Sequence, residues 1–175
     1  MNVCYRIDDD HLAIGIGDVS GKGVPASLFM AVIRSLFRNV SLHVDDPAEI
    51  VSSLNTALSE GNDHNMFCTL FLGVLELKTG HLDYCNAGHN APIVRRIENG
   101  KIDVHFTQPK ANLAVGVFEG FPFVKQETVL KPGEAIFLYT DGVTEAENAH
   151  KELFGDEATL ATLADAREHN MRTAK

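Results

Sequence analysis

The pattern of apolar positions divides the chain into short strands separated by turn residues, with helical spacing in three places. Most strand candidates are bounded by Gly, Pro, Asn or Asp, which favour turns. The predicted strands are Cys4–Ile7, Leu12–Ile16, Met66–Leu77, His81–Asn86, Pro92–Ile97, Ile102–Phe106, Phe123–Leu130 and Ala135–Tyr139. The segment from Met66 to Leu77 is apolar on both faces for most of its length, and such a strand must be covered on both sides.

Three segments are predicted to be helices. The first begins near Pro25, which suits a first turn, and its apolar positions have helical spacing. These positions are Leu28, Val32, Ile33, Leu36 and Val40. The second helix has Asp46 as its N-cap, Pro47 at its first position and Gly61 as its stop. The third extends from near Asp156 to about Arg167.

Consecutive strands are mostly joined by short turns, and short turns require antiparallel pairing. Asn99-Gly100, for example, is typical of a two-residue hairpin turn. Two antiparallel sheets stacked face to face, with helices outside, explain both the strands that are buried on two faces and the helices. The predicted fold class is therefore α+β, a four-layer α-β-β-α sandwich.

The composition restricts the function and the compartment. The formal net charge of −9 argues against general nucleic-acid binding, which needs a basic surface. Cys68 and Cys85 lie in apolar stretches and, with Cys4, form no metal-binding or disulfide pattern, so we expect free thiols in a reducing compartment. The chain shows neither a signal-peptide pattern nor an apolar run near the ~20 residues that span a bilayer, so we expect a soluble, cytoplasmic domain without membrane contact.

Two aspartates are predicted to lie where a strand ends beside glycine. Asp18 opens the glycine-rich segment from Gly17 to Gly23, and Asp141 follows the strand Ala135–Tyr139 and precedes Gly142. Carboxylates in this setting suit Mg²⁺ or Mn²⁺, which prefer oxygen ligands. The alternative is that each aspartate is a turn residue that hydrogen-bonds its own backbone.

The glycine-rich segment does not have the pattern of a nucleotide-binding loop. Gly21-Lys22 is followed by Gly23, where a P-loop requires Ser or Thr. The dinucleotide pattern starts at Gly15 and fails at Ser20. A nucleotide-binding domain is thus disfavoured, although tight ATP binding would revive it.

His89 and Asn90 lie in a predicted loop between two strands. They are either part of a polar turn with a structural histidine or part of an active-site loop. No histidine follows His89 at i+4, and the chain has no G-x-S-x-G elbow, so a helical zinc pair and a serine hydrolase are both disfavoured.

Three sequence motifs, in order, resemble those of SpoIIE/RsbU-type phosphatases. GDVSGKGVPASLFM at Gly17–Met30 resembles the family's GDVSGKG-x-PA signature, and NAGHNAP at Asn86–Pro92 resembles its AGHNPP loop. LYTDGVTEAEN at Leu138–Asn148 resembles its YTDGVTEA segment, followed by an E-x-FG match at Glu152–Gly155. The resemblance covers nearly the whole chain.

The resemblance implies two stacked antiparallel sheets and a metal-dependent protein phosphatase. In the family, two Mn²⁺ or Mg²⁺ ions activate a water that attacks phosphoserine or phosphothreonine. By motif match, Asp18 and Asp141 are metal ligands, with the backbone of Gly17 or Val19 assisting. Gly142 permits close approach of the backbone. The candidate residues of an active-site loop are Gly17, Gly21, His89, Asn90 and Gly142.

The resemblance also implies partners. The expected substrate is a phosphorylated STAS-domain anti-anti-sigma factor or a related protein, and an upstream sensory or receiver region is expected. The family's N-terminal GGD strand and C-terminal DD-x-T strand are not found, so residues 1–175 are interpreted as one domain without these strands. Because carboxylates of these strands are missing, weaker metal binding is expected. Because the strands themselves are missing, the loss of an edge strand from one sheet is also expected. The alternative is a non-catalytic pseudophosphatase that binds a partner.

Overall fold

A computed structural model describes residues 1–60 and 62–166 of the chain. It contains eight strands and four helices among these residues. The strands are β1 (Asn2–Arg6), β2 (His11–Val19), β3 (Cys68–Glu76), β4 (His81–Ala87), β5 (Ile93–Glu98), β6 (Lys101–Phe106), β7 (Gln126–Val129) and β8 (Ala135–Phe137). The helices are α1 (Gly23–Val40), α2 (Pro47–Ser59), α3 (Asp141–Thr144) and α4 (Gly155–Asp165).

The chain folds into two compact units. The first contains Met1–His89 and Pro109–Val129, and the second contains Asn90–Gln108 and the described residues from Leu130 onward. Each unit has its own antiparallel sheet. The fold class is therefore confirmed as α+β, with two antiparallel sheets and accompanying helices.

The first unit is a five-stranded sheet with the order β1-β2-β3-β4-β7, and α1 and α2 pack against one of its faces. Side chains alternate between the two faces along each strand. Leu70 and Leu72 belong to the core on the helical face, and Phe71 stacks on Tyr84 with ring centroids 5.3 Å apart. Leu70, Phe71 and Leu72 are all fully buried, which confirms that β3 is covered on both faces.

The start of α2 agrees with the sequence prediction. The Asp46 carboxylate accepts the backbone N–H groups of Ala48 and Glu49 at 2.8 and 3.3 Å, and Pro47 is the first helical residue. These bonds satisfy amides that have no partner within the helix. The predicted stop at Gly61 and the predicted helix end at Arg167 lie outside the described residues.

The predicted buried face of α1 is partly wrong. Ile33 and Phe37 are fully buried, whereas Leu28 and Val32 are 63% and 48% exposed. Neighbouring residues are about 100° apart around a helix axis, so Val32 and Ile33 cannot both point at the sheet. Ile33 and Phe37 are one turn apart and lie on the face of α1 that packs against the sheet.

The second unit has a three-stranded antiparallel sheet with the order β6-β5-β8. The α4 helix packs against β5 and β6, and α3 packs against α4. Asn99 and Gly100 join β5 to β6 with positive φ angles of 51° and 73°, as a tight two-residue hairpin turn requires. This hairpin is confirmed.

The prediction that consecutive strands pair is wrong for β7 and β8. They are separated by a short turn, yet β7 pairs with β4 and β8 pairs with β5. The β7 strand is also shorter than predicted. Val124 exchanges two hydrogen bonds with the Asn112 side chain, at 2.9 and 3.1 Å, so this amide serves there as its pairing partner.

The cysteines are free, as predicted. Cys68 and Cys85 are buried, and burial raises the pKa of each thiol to about 12. Cys4 is exposed. Within the described ranges, no helix is both long enough and apolar enough to cross a membrane.

Candidate active site

Asp18 is the penultimate residue of β2, and its side chain is exposed. One carboxylate oxygen, Oδ1, accepts the backbone N–H of Val19 at 3.1 Å. Among the described residues, no basic side chain forms an ion pair with Asp18. The carboxylate therefore has an oxygen available for a ligand.

Asp18 lies in an open groove of about 490 Å³ between the glycine-rich loop and the first turns of α1. Val19, Gly21, Lys22 and Ser27 also line this groove. The structure thus brings together three residues that the sequence singled out, Asp18, Val19 and Gly21.

The glycine-rich loop is attached to the segment before β3 by two hydrogen bonds. The Ser20 N–H donates to the Phe67 carbonyl at 2.9 Å, and the Phe67 N–H donates to the Ser20 hydroxyl oxygen at 2.9 Å. Beyond this pair, Gly21 has a φ angle of +87°, which favours glycine. The loop is therefore anchored at Ser20 and turns sharply immediately afterwards.

His89 lies close to the same strand end. Its side chain is 7% exposed, and its Nδ1 atom is 3.0 Å from the Thr69 hydroxyl oxygen. Thr69 is the residue directly opposite Asp18 in the pairing of β2 with β3. The His89 N–H donates to the Asn86 side-chain oxygen at 2.8 Å, which fixes the turn. Two of the three sequence motifs therefore meet in the first unit.

The third motif lies in the second unit. Asp141 is the first residue of α3, a single helical turn, and has an exposed side chain. The carbonyl of Asp141 accepts the Glu145 N–H at 2.8 Å, which closes one helical turn. At Gly142, an added Cβ would come no closer than 3.8 Å to Thr140 Oγ1, so the protein's own packing does not require glycine there.

Asn90, the neighbour of His89, belongs to the second unit and hydrogen-bonds to Tyr139. Burial raises the pKa of Tyr139, and the charge of Asp156 raises it further. Asn90 is therefore connected to the segment that leads into Asp141.

The sequence analysis missed Thr69 and Ser20. Thr69 has a visible signal, because it is a polar residue within the apolar run from Met66 to Leu77. Ser20 has a weaker signal, because serine is common in loops of this composition.

A separate group of candidate metal ligands lies on β4 and β7. His81, Asp83 and Glu127 place their ligand atoms within 4.8 Å of one another. The Asp83 carboxylate already contacts His81 at 3.1 Å and forms an ion pair with Lys125 at 3.1 Å.

The sequence was compared with known families and proteins. Residues 8–174 match the family described as Stage II sporulation protein E (SpoIIE). The chain belongs to the SpoIIE family. This result confirms the resemblance that the three motifs indicated.

Two relatives illustrate the range of similarity. Protein IcfG of Synechocystis is 35% identical over 91% of this chain and 29% of its own length. Phosphoserine phosphatase RsbU of Bacillus subtilis is 27% identical over 79% of this chain and 40% of its own length. The chain thus spans well under half the length of either relative.

Solved structures have the same fold. The RsbU and RsbW domains of a Mycobacterium tuberculosis protein match with a TM-score of 0.76 and 25% identity, over 94% of this chain and 44% of that one. The structure of RsbX in complex with magnesium matches with a TM-score of 0.66 and 17% identity, over 82% of this chain and 66% of that one.

Proposed function

We propose that residues 1–175 form one catalytic domain of a metal-dependent protein phosphatase that hydrolyses phosphoserine or phosphothreonine on a bacterial regulatory protein. The observation that carries the proposal is the exposed Asp18 carboxylate, which lies in the groove beside the glycine-rich loop and has no basic ion-pair partner among the described residues. Membership of the SpoIIE family and similarity to the phosphoserine phosphatase RsbU support it.

The residues of this region fit a hard divalent cation. Mg²⁺ and Mn²⁺ are bound through carboxylate and carbonyl oxygens and waters. Asp18 offers a carboxylate oxygen beside the Gly17 and Val19 backbone, and Asp141 offers a second exposed carboxylate in its own unit. We therefore assign Asp18 and Asp141 as ligands, with the Val19 backbone assisting. The magnesium complex of RsbX agrees with this choice of ion class.

The residues of the chain have distinct parts in the proposed reaction. When bound, the metal supplies Lewis-acid chemistry and lowers the pKa of water. Asp18 in the first unit and Asp141 in the second each provide a negatively charged oxygen for a divalent cation. The two bonds between Ser20 and Phe67 keep the loop in place during the reaction. Lys22 borders the groove and provides a positive charge that attracts an anionic phosphoryl group.

The proposed substrate is a phosphorylated STAS-domain anti-anti-sigma factor in the cytoplasm, and a sensory or receiver region of the same protein is proposed to regulate the domain. Similarity to RsbU, and to a protein that carries RsbU and RsbW domains, supports this choice.

The test measures phosphate release from a phosphorylated STAS protein and from an aryl phosphate, with added Mn²⁺ or Mg²⁺, on the protein that contains this sequence. Hydrolysis that requires the metal and stops on chelation supports the proposal. If a folded protein binds the phosphorylated STAS protein without hydrolysing it under any metal condition, the chain is a pseudophosphatase and the proposal is wrong.

A further inference from the structure

We infer that Thr69 and His89 are positioning residues for the Asp18 carboxylate. The inference rests on the proposed function, because it takes Asp18 as a metal ligand. Neither Thr69 nor His89 is proposed to touch the metal or the substrate. They act on Asp18 through the peptide group that follows it.

Thr69 contacts Asp18 across the pairing of β2 with β3. The two residues are directly opposite each other in the pairing of β2 with β3, and the Thr69 hydroxyl oxygen lies 3.5 Å from the Asp18 carbonyl oxygen. On the other side of the same peptide group, the Val19 N–H donates to Asp18 Oδ1 at 3.1 Å. One rigid peptide plane therefore connects the Thr69 hydroxyl to the Asp18 carboxylate. A tilt of that plane moves the donor that orients the carboxylate.

The His89 ring in turn contacts the Thr69 hydroxyl. The Thr69 hydroxyl has one hydrogen and two lone pairs. When it donates its hydrogen to the Asp18 carbonyl, it accepts the Nδ1–H of His89, whose Nδ1 lies 3.0 Å away. The buried His89 ring is thus placed to direct the Thr69 hydroxyl hydrogen toward Asp18. The bond from the His89 backbone N–H to the Asn86 side-chain oxygen fixes the turn that carries this ring.

The consequence is an expected change in metal affinity. Groups that orient a metal ligand typically contribute about 10–100-fold to metal affinity or activity. Thr69 acts through a peptide group and not on the carboxylate itself. We therefore expect its loss to weaken Mn²⁺ binding by about tenfold, at the lower end of that range.

The experiment compares Thr69→Val, which keeps the shape but removes the hydroxyl, with Thr69→Ser, which keeps the hydroxyl. The Mn²⁺ dissociation constant is measured by titration calorimetry, and kcat and KM are measured separately. We expect Thr69→Val to weaken Mn²⁺ binding and lower kcat with KM for substrate little changed, and Thr69→Ser to retain most of the affinity. His89→Ala should resemble Thr69→Val, and His89→Asn, which keeps a donor, should restore part of the loss.

Thr56→Val is the matched control, because the Thr56 hydroxyl donates to the Ser52 carbonyl within α2, at 3.2 Å. It should bind Mn²⁺ like the wild type. Urea midpoints confirm that each variant is folded, and the comparison of His89→Ala with His89→Asn provides the test if Thr69→Val does not fold.

Three outcomes would overturn the inference. If Thr69→Val and His89→Ala both bind Mn²⁺ like the wild type, the inference fails, while metal-dependent hydrolysis by the wild type leaves the phosphatase proposal standing. If Thr69→Ser loses as much affinity as Thr69→Val, packing and not the hydroxyl is responsible. If the wild type binds no Mn²⁺, the metal assignment fails together with the inference.

Discussion

A Cβ atom added at Gly17 would lie 2.7 Å from the carbonyl oxygen of Thr69. That carbonyl belongs to the neighbouring strand and cannot withdraw without disturbing the pairing of β2 with β3. Gly17→Ala should therefore destabilise the fold by about 1–3 kcal/mol, as overpacking of a tight interior typically does. Urea unfolding at equilibrium measures this change.

Gly142→Ala is the matched control. An added Cβ there would lie 3.8 Å from Thr140 Oγ1, an ordinary van der Waals distance, and Gly142 lies within α3, where alanine is favoured over glycine. Its free energy of unfolding should stay within about 1 kcal/mol of the wild type. Equal losses in the two variants would show that close approach at Gly17 is not the cause.

The sequence predicted local structure best where side chains act on their own backbone. Asp46 and Pro47 set the start of α2, and Asn99-Gly100 set the hairpin between β5 and β6. The sequence predicted burial and strand pairing less well, because these depend on contacts between segments that are distant in the chain. Val32 is exposed because another face of α1 packs against the sheet. Apolar spacing alone does not distinguish Val32 from the buried Ile33.

The candidate site shows the same division. Asp18 and His89 could be selected from sequence motifs, and the structure connects them through β3. Thr69 could not be selected, because its importance depends on the register that places it opposite Asp18. The helical position of Asp141 was missed because a single turn of helix leaves no periodic pattern.

Asn55 fastens a long loop to α2, so its removal should loosen that loop. Its side chain is 1% exposed, donates to the Phe118 carbonyl at 3.0 Å and accepts the Gly116 N–H at 2.8 Å. Asn55→Ala removes both bonds and should cost about 1–3 kcal/mol. Hydrogen exchange should also show faster exchange of the Gly116 amide.

Asn39→Ala is the control for this prediction, because Asn39 is an exposed residue of α1. It should leave both stability and the Gly116 exchange rate unchanged. A slow Gly116 amide in Asn55→Ala would contradict the proposed attachment.

Lys125 should stabilise the fold in a way that depends on pH. Its ammonium group lies 3.0 Å from Asp46 and 3.1 Å from Asp83. Burial opposes ionisation of Asp46, but the Lys125 bond and the amides of Ala48 and Glu49 hold its pKa below the ordinary value. The resulting stability is present above the unfolded pKa of about 3.9 and is lost as the pH falls through the lower, folded pKa.

Lys125→Met should therefore lower the free energy of unfolding most near neutral pH, with a difference that shrinks at the acidic end of the range. Partly exposed ion pairs contribute about 0–1 kcal/mol, so the effect should be small. Urea unfolding at a series of pH values measures it. Lys101→Met, at an exposed position of β6, is the control, and an equal pH-dependent loss there would rule out the Asp46 contact as the cause.

Asp18→Asn and Asp141→Asn should separate metal binding from folding. Both carboxylates are exposed, and within the described part of the chain neither forms an ion pair, so their removal should change the free energy of unfolding by less than about 0.5 kcal/mol. Each substitution keeps the shape of the side chain but removes the charge that the proposed metal requires. We expect both variants to lose metal-dependent phosphate release by at least about 100-fold.

Asp165→Asn is the control for the two aspartate variants, because this carboxylate lies at the end of α4 and belongs to none of the three motifs. It should retain full activity and full Mn²⁺ affinity. The two readouts then assign the roles: loss of Mn²⁺ affinity together with activity identifies a ligand, since the fold is unchanged. Near-wild-type turnover in Asp18→Asn or in Asp141→Asn would show that the residue concerned is not a ligand, because a catalytic cation cannot keep its position after losing an essential negative oxygen.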